Sequence, residues 1–401
     1  MKAKFFKKGR WGLANGLIGL AKILSGLAIG VFISFQPLLT NSFVAEVRAA
    51  DHEEATTQVV EGEVISIQEA GLITYQDELT NFQKLEVKFT NKDLAGETAI
   101  IENTNLNVGE NSLIAPYTEY KPGDHVRVAV TTDPQQDETF YQIDGLVKRN
   151  SLLLLLGIFM LVVLVVGRVW GALSLLGLAT SFLIIFKFII PQIIAGWDPI
   201  LAAVVGSIII IPVTFYISHG FNTKTHIGVA ATLVGLLITG VLATYFVQAA
   251  HLTGFASEEA GFLQVERQGT IDIKGLLLAG IIIGTLGILD DITIGQSSTV
   301  EQLKLANPKL KTWELFKNAM KVGQDHISSM VNTLVLVYSG SALPLLLLFF
   351  DSERTFVDIL EFELIAEEIV RMMVGSIGLV LAAPLATALA AVVFTRQKTD
   401  D

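Results

Sequence analysis

The chain contains no cysteine among its 401 residues, which excludes disulfides, thiolate metal sites and thiol nucleophiles. Charge is scarce: Asp, Glu, Lys and Arg make up 17% of the residues, against about a quarter in an average soluble domain. The 6 histidines, at positions 52, 125, 219, 226, 251 and 326, lack the spacing of metal ligands. Phosphate-binding loop, nucleophile elbow and zinc-protease helix are all missing, so the sequence offers neither familiar enzyme chemistry nor a cofactor motif. What is present is apolar: 51% of the residues are hydrophobic, and the mean hydropathy is +0.56. Together these values exclude a soluble globular enzyme, a disordered chain and a nucleic-acid binder.

The apolar residues come in long runs. A membrane helix needs roughly 20 of them to cross a hydrocarbon core about 30 Å thick, and eight runs qualify as candidate spans: 17–39, 151–168, 170–190, 198–218, 226–249, 274–295, 327–350 and 368–394. Lys2, Lys4, Lys7, Lys8 and Arg10 place the N-terminus in the cytoplasm by the bias of Lys and Arg toward that side. Counting forward puts Lys304, Lys309, Lys311, Lys317, Lys321, Arg396 and Lys398 there too; Lys148 and Arg149 are the exceptions. The expected fold is therefore an all-α polytopic membrane bundle of about eight transmembrane helices with both termini cytoplasmic. Two readings fit residues 1–50: a retained anchor, or a signal peptide cleaved after Val47-Arg48-Ala49.

The net charge of −11 is unevenly placed. Residues 51–150 hold 19 acidic against 7 basic residues, a net of −12, and lie outside the cytoplasm on this topology. Short runs rich in Val, Ile and Phe at 59–67, 85–89, 97–101, 125–130 and 139–143 alternate with turn signals at 69–71, 91–93, 107–109 and 121–124. Five short strands in a hundred residues point to a small extracytoplasmic β domain, an OB-like or similar barrel. Beyond it, four spans fill 151–250, an outer loop 251–273, and three spans 274–401 with a cytoplasmic amphipathic linker at 303–325. In that linker Trp313, Phe316 and Met320 share a face between lysines, the pattern of a helix lying on an anionic leaflet.

One segment carries chemistry. At 100° per residue, Gly280, Gly284, Gly287, Asp291, Gly295 and Ser298 fall on one helix face, and small residues let another helix approach closely. Asp291 continues this stripe and is expected to point into the bundle, with Asp290 beside it. Ionisable groups inside a span cost roughly 2.5–3.5 kcal/mol on insertion scales and are retained for function. A second polar stripe on the next span carries Asp325, Ser329, Asn332 and Ser339. We expect Asp291 to face Asn332, and Asp290, Asp291, Asn332, Thr293, Ser298 and Asp325 to line an ion, proton or substrate path. Glu367 and Arg371 form an i,i+4 pair, and Gly375 and Gly378 offer further close packing.

Residues 284–293, Gln296-Ser297-Ser298, 323–326, 331–334, 367–371, 375–378 and 384–387 resemble the YibE/F-like family of bacterial membrane proteins. The resemblance implies a multi-pass protein of the bacterial cell membrane with an outer domain; the family's own function is uncharacterised. A weaker similarity links residues 290–301 and 325–334 to the SecD/SecF export subunits, from which this chain departs in its eight expected spans and in acids nearer the cytoplasmic edge. The expected function is a transporter or export component using the acidic pair, and the alternative a membrane scaffold whose outer domain binds a partner. The expected partners are the lipid bilayer and a companion membrane protein or second copy, with no nucleic acid.

Overall fold

The structure, a computed structural model, describes residues 56–75, 78–90, 94–104, 118–133, 138–350 and 355–396. The expected first span at 17–39 and the turn signals at 91–93 and 107–109 lie outside the described residues. The chain divides into two compact units, Met1–Phe159 and Met160–Asp401.

The first unit is an antiparallel sheet of β1 (Thr56–Tyr75), β2 (Glu78–Phe89), β3 (Thr98–Thr104), β4 (His125–Asp133) and β5 (Glu138–Leu146). The strand order is β3-β2-β1-β4-β5. One long strand organises it: β1 pairs with β4 along Thr56–Glu63 and with β2 along Gly62–Tyr75. Register breaks at Val64/Ser66 and Ile67/Glu69 bend and twist β1 as bulges do, which lets it serve two partners. The turn expected at 69–71 is in fact strand; the polar residues there follow a bulge rather than a reversal. At the edges, β3 and β5 approach each other without forming a ladder, so the sheet curls into a half-barrel and stays open where a closed barrel was expected.

Alternate residues Val60, Val64, Leu85, Val87, Phe89, Ile101, Val126, Val128 and Val130 point inward and form the core of this sheet. The turn expected at 121–124 is present. Gly123, at φ 94°, donates its N–H to the Val64 carbonyl at 2.8 Å, and the Val64 N–H donates to Asp124 O at 2.9 Å. A side chain does the work of a strand beside it. The buried Gln83 amide donates from Nε2 to the Tyr120 carbonyl at 3.0 Å and accepts the Tyr120 N–H on Oε1 at 2.9 Å.

In the second unit, α1 (Arg149–Ile184) begins within the first unit's residues and runs on through a π-helical turn (Ile185–Ile189) into α2 (Ile190–Ile194). These make one apolar stretch of 46 residues. Arg168 interrupts it at φ 50°, ψ −127°. A Cβ at Gly171 would overlap the Val163 carbonyl, although eight residues of straight helix are about 12 Å long. The axis therefore folds sharply at Arg168, where the sequence divides its two expected spans.

Next come α3 (Pro199–His219), α4 (Thr223–Ala249), α5 (Glu258–Glu266), α6 (Ile273–Ala306), α7 (Thr312–Ser341), α8 (Leu343–Phe350), α9 (Phe356–Leu360) and α10 (Glu363–Arg396). Side-chain caps start four of them: Asp198, Asn222, Ser257 and Thr355 accept the N–H of Leu201, Thr225, Ala260 and Asp358. Among the described residues five helical stretches are long and apolar enough to cross a bilayer, or six if α7 and α8, bent by 65°, are one span. Of the expected eight, 17–39 lies outside the described residues, and 151–168 and 170–190 fall in the one stretch folded at Arg168.

Helix α6 is the centre of the bundle, packed by α3, α4, α7 and α10. Ala203, Ile211, Phe215, Leu236, Ala279, Ile282, Leu289, Ile292, Leu379, Ala382 and Ala383 form the core around it.

Two measurements probe the sheet in the purified full-length protein. Gln83→Leu leaves the buried Tyr120 N–H without a partner and is expected to cost about 1–3 kcal/mol, read as faster proteolysis of residues 56–146. Burial, with Asp144 and Asp124 adding, raises the Tyr120 hydroxyl above its ordinary value of 10.0. The neutral phenol is thus the folded form, and its contribution is present below pH 10 and lost as pH rises beyond the raised value. Tyr120→Phe is expected to retain its sheet circular dichroism to higher pH than the wild type does.

Candidate functional site

The direction in which α6 presents its side chains decides what its acids can do. Leu277, Leu278, Ile281, Ile282, Thr285, Leu289, Ile292, Thr293, Gln296, Ser297 and Val300 are buried. On the opposite side Gly280, Gly284, Gly287 and Asp291 are exposed, and Asp290 is half-buried at the boundary. Nothing among the described residues lies within 4 Å of a Cβ placed at Gly280, Gly284 or Gly287. The expectation that this stripe turns Asp291 inward is therefore corrected. The physical reason is packing: the large side chains of this face fit against small residues of the neighbouring helices, as Leu289 does over Gly235 of α4. Of the glycines expected to pack, a Cβ at Gly375 would lie 3.1 Å from Thr285 Cγ2, and one at Gly378 would overlap Thr239.

Helices α6 and α7 do pack together, but not through their polar stripes. Ile327, Met330, Val331 and Leu334 face the core, which leaves Asp325, Ser329 and Asn332 exposed. Asn332 and Asp291 are both exposed rather than enclosed between the two helices. The linker also differs from its expected form. Residues 312–323 continue directly into α7, and Leu315 and Ala319 pack on Ile227, Val300, Ala390, Ala391 and Phe394. This end is docked on the bundle by a face other than that of Trp313, which stays exposed beside Phe316.

Inside the bundle runs a line of hydroxyl and amide groups that the periodicity did not single out. Thr232 of α4 and Thr293 of α6 share a hydrogen bond of 2.7 Å. The Thr293 hydroxyl also reaches the Asp290 carbonyl at 3.2 Å, and Ser297 donates to the Thr293 carbonyl at 2.8 Å. One turn on, Thr387 of α10 donates to Gln296 Oε1 at 2.9 Å. The Gln296 amide fills the space over Gly323, where a Cβ would meet it at 2.9–3.0 Å. Of the expected path residues, Thr293 belongs to this line and the half-buried Ser298 does not. The one available signal was the 3.6-residue spacing of Thr285, Leu289, Ile292 and Gln296, which competes with the glycine pattern on the same helix.

The fold also gathers what looked scattered. His219 ends α3, and His326 of α7 lies over Gly295 of α6, its Cε1 at 3.6 Å from the Cβ position there. His226 of α4 pairs with the Tyr216 hydroxyl of α3 at 2.7 Å. At the same end Lys224 and Glu301 form an ion pair at 3.4 Å. Among the described residues no three His, Asp or Glu side chains converge as metal ligands.

At the opposite end of α6 a second acidic group clamps the loop after α4. Glu363 Oε1 accepts the Thr253 N–H at 2.5 Å and its hydroxyl at 2.6 Å. Gly254, at φ 85°, lies so close to Ile273 O that a Cβ would sit 2.8 Å from it. Glu367 is buried, and Arg371 pairs at 2.9 Å with Glu368 rather than with Glu367 as expected.

Residues 155–396 match a protein family described as YibE/F-like protein. No curated protein and no solved structure matches the chain. The matched stretch contains the whole of α2 to α10 and excludes the sheet.

The packing asymmetry makes a direct prediction. Gly378→Ala is expected to overpack against Thr239 and cost about 1–3 kcal/mol. Gly284→Ala meets open space and is expected to leave stability unchanged or raise it by up to about 1 kcal/mol, the helix-propensity gain. Thermal unfolding of the purified full-length variants gives the order, and a larger loss at Gly284 would contradict the assigned face.

Proposed function

The chain belongs to the YibE/F-like family, and from that premise we propose that its helical unit is a transporter or export component of the bacterial cell membrane. The observation that carries this reading is the position of the acid pair. Asp290 and Asp291 stand inside the expected span 274–295, about one turn from its end, where α6 continues as a polar helix through Gln296, Ser297, Ser298 and Glu301. A carboxylate pair in water needs no function; one carried within the apolar part of a helix is costly and is kept for work. The line Thr232–Thr293–Gln296–Thr387 runs beside it, supplying polar groups inside an otherwise apolar bundle. The reading includes both termini in the cytoplasm and residues 51–150 outside it.

A second reading rests on the sheet. Its unit is separate, acidic, and exposes Ile65, Leu72, Ile100 and Phe140, a surface suited to a partner protein or an envelope component with cationic groups. On that reading the helices anchor a binding module, and the curled sheet is a relative of the OB-like barrels left open at one seam.

The test separates the two. In cells lacking the chromosomal copy, Asp290→Asn and Asp291→Asn at normal expression are expected to lower function at least about tenfold, the equivalent of 1.4 kcal/mol. Deleting residues 56–146 is expected to reduce it less. Normal behaviour of both Asp variants with loss on deletion would favour the scaffold.

A further inference from the structure

A carboxylate buried without a partner is costly, and one such group lies in the first turns of α10, away from Asp290 and Asp291. Glu367 is 7% exposed, and its Oε1 is enclosed with no hydrogen-bond partner among the described residues. Charges buried in proteins are paired or bound to metal ions, so a buried group left unsatisfied calls for an explanation. The basic residue one turn on does not supply it. Arg371 gives its Nη1 to Glu368 Oε1 at 2.9 Å, and its own Nε is unpartnered as well.

A second carboxylate stands one turn before it. Glu363 and Glu367 are an i,i+4 pair on α10, with Cβ atoms about 5–6 Å apart, and like charges so placed repel. The loop after α4 closes over this face. Glu363 Oε1 accepts the Thr253 N–H and hydroxyl at 2.5 and 2.6 Å. Leu252 is buried with Leu277 and Val374, and Ala366 and Val370 pack against them. Residues 363, 366, 367, 370 and 374 share one side of the helix, so Glu367 lies in the seam between α10, the loop and the start of α6. Among the described residues no third His, Asp or Glu joins the two carboxylates there. The other donors available are the Thr253 hydroxyl and the loop carbonyls, all oxygens.

We propose that Glu363 and Glu367 hold a calcium ion in this seam, its remaining ligands being oxygens of the loop that crosses them. Carboxylate and carbonyl oxygens are the donors of hard cations, and two carboxylates match the charge of a divalent one. Magnesium demands a near-ideal octahedron and keeps several waters, which an enclosed carboxylate suits poorly; calcium accepts irregular sets of carboxylate and carbonyl oxygens. The ion relieves the repulsion of the i,i+4 pair and gives the orphaned Glu367 oxygen its partner. It also fastens the loop after α4 to α10, adding to the hold that Glu363 already has on Thr253. The inference is independent of the function proposed above.

The test is thermal unfolding of the purified full-length protein in detergent at neutral pH, in EDTA, in calcium chloride and in magnesium chloride. Calcium is expected to raise the wild-type midpoint by about 3 °C or more. Glu367→Gln removes the charge and keeps the shape. Its midpoint is expected to lie above the wild type's in EDTA, where the unpaired charge is gone, and to ignore calcium. Glu363→Gln keeps an oxygen for Thr253 and is expected to weaken calcium binding about tenfold or more by calorimetry; it carries the test if Glu367→Gln does not fold. A wild type unmoved by calcium would overturn the site, and a Glu367→Gln midpoint below the wild type's in EDTA would make Arg371 the partner instead. An undiminished calcium shift in both variants would overturn it too, by placing the ion elsewhere, on the acidic sheet. A magnesium response equal to that of calcium would overturn the choice of ion.

Discussion

The packing of the helical unit depends on close approach to one face of α6. That face is broad, carrying Leu277, Leu278, Ile281, Ile282, Leu289 and Ile292, and it is covered only because its neighbours withdraw. Gly235 of α4 brings its backbone to within 3.3 Å, measured from the Cβ position, of Leu289, and Gly228 comes within 2.8 Å of Ile294. Gly375 of α10 does the same over Thr285. The bulk sits on the central helix and the space on its partners. Once α4 and α10 are this close, the hydroxyls of Thr232, Thr293 and Thr387 fall within hydrogen-bonding distance of groups on the next helix. Polar bonds of this kind add only about 0.6 kcal/mol each in membrane proteins; the backbone approach comes first and the bonds follow from it.

Much of this architecture was legible. The runs 198–218, 226–249 and 368–394 correspond to α3, α4 and α10 within a few residues, because a continuous apolar stretch of that length has few alternatives. Four of the five strand runs lie inside a strand of the sheet, and the run at 97–101 starts one residue before its strand. The faces were not legible. Helix α6 is apolar almost all round, so hydropathy gives no direction, and the rule that small residues pack chose the wrong stripe. It applied instead to glycines on α4 and α10, where the facing residue is large. Helix α7 misled in the opposite sense: its polar stripe at Asp325, Ser329 and Asn332 was assigned to the interior, while Ile327, Val331 and Leu334 took that place.

The candidate site divides along the same line. That Asp290 and Asp291 are exceptional could be read from their apolar context alone. That the His326 ring lies over Gly295, one turn beyond Asp291, could not, since 31 residues separate it from that glycine and nothing local to the histidine distinguishes it. Its place is a product of topology, the packing of α7 on α6. In the sheet the equivalent hidden element is Gln83, a polar residue in a strand reading as apolar, whose meaning appears only when the Tyr120 backbone arrives opposite it.

Helix α1 differs from all of these. From Leu152 to Val166 it presents large side chains that are exposed on every side, and the most apolar window of its stretch has no buried residue. It carries no hydroxyl, amide or charge between Leu152 and Gly167. Every backbone group within such a helix is satisfied internally, so it is at home in lipid without help from a neighbour. Helix α6, with its two acids and its glycines, is not. The two helices therefore stand at opposite ends of a scale of independence: α1 from Leu152 to Gly167 has no polar group to cover, whereas α6 lies between α4 and α10, which cover its broad face.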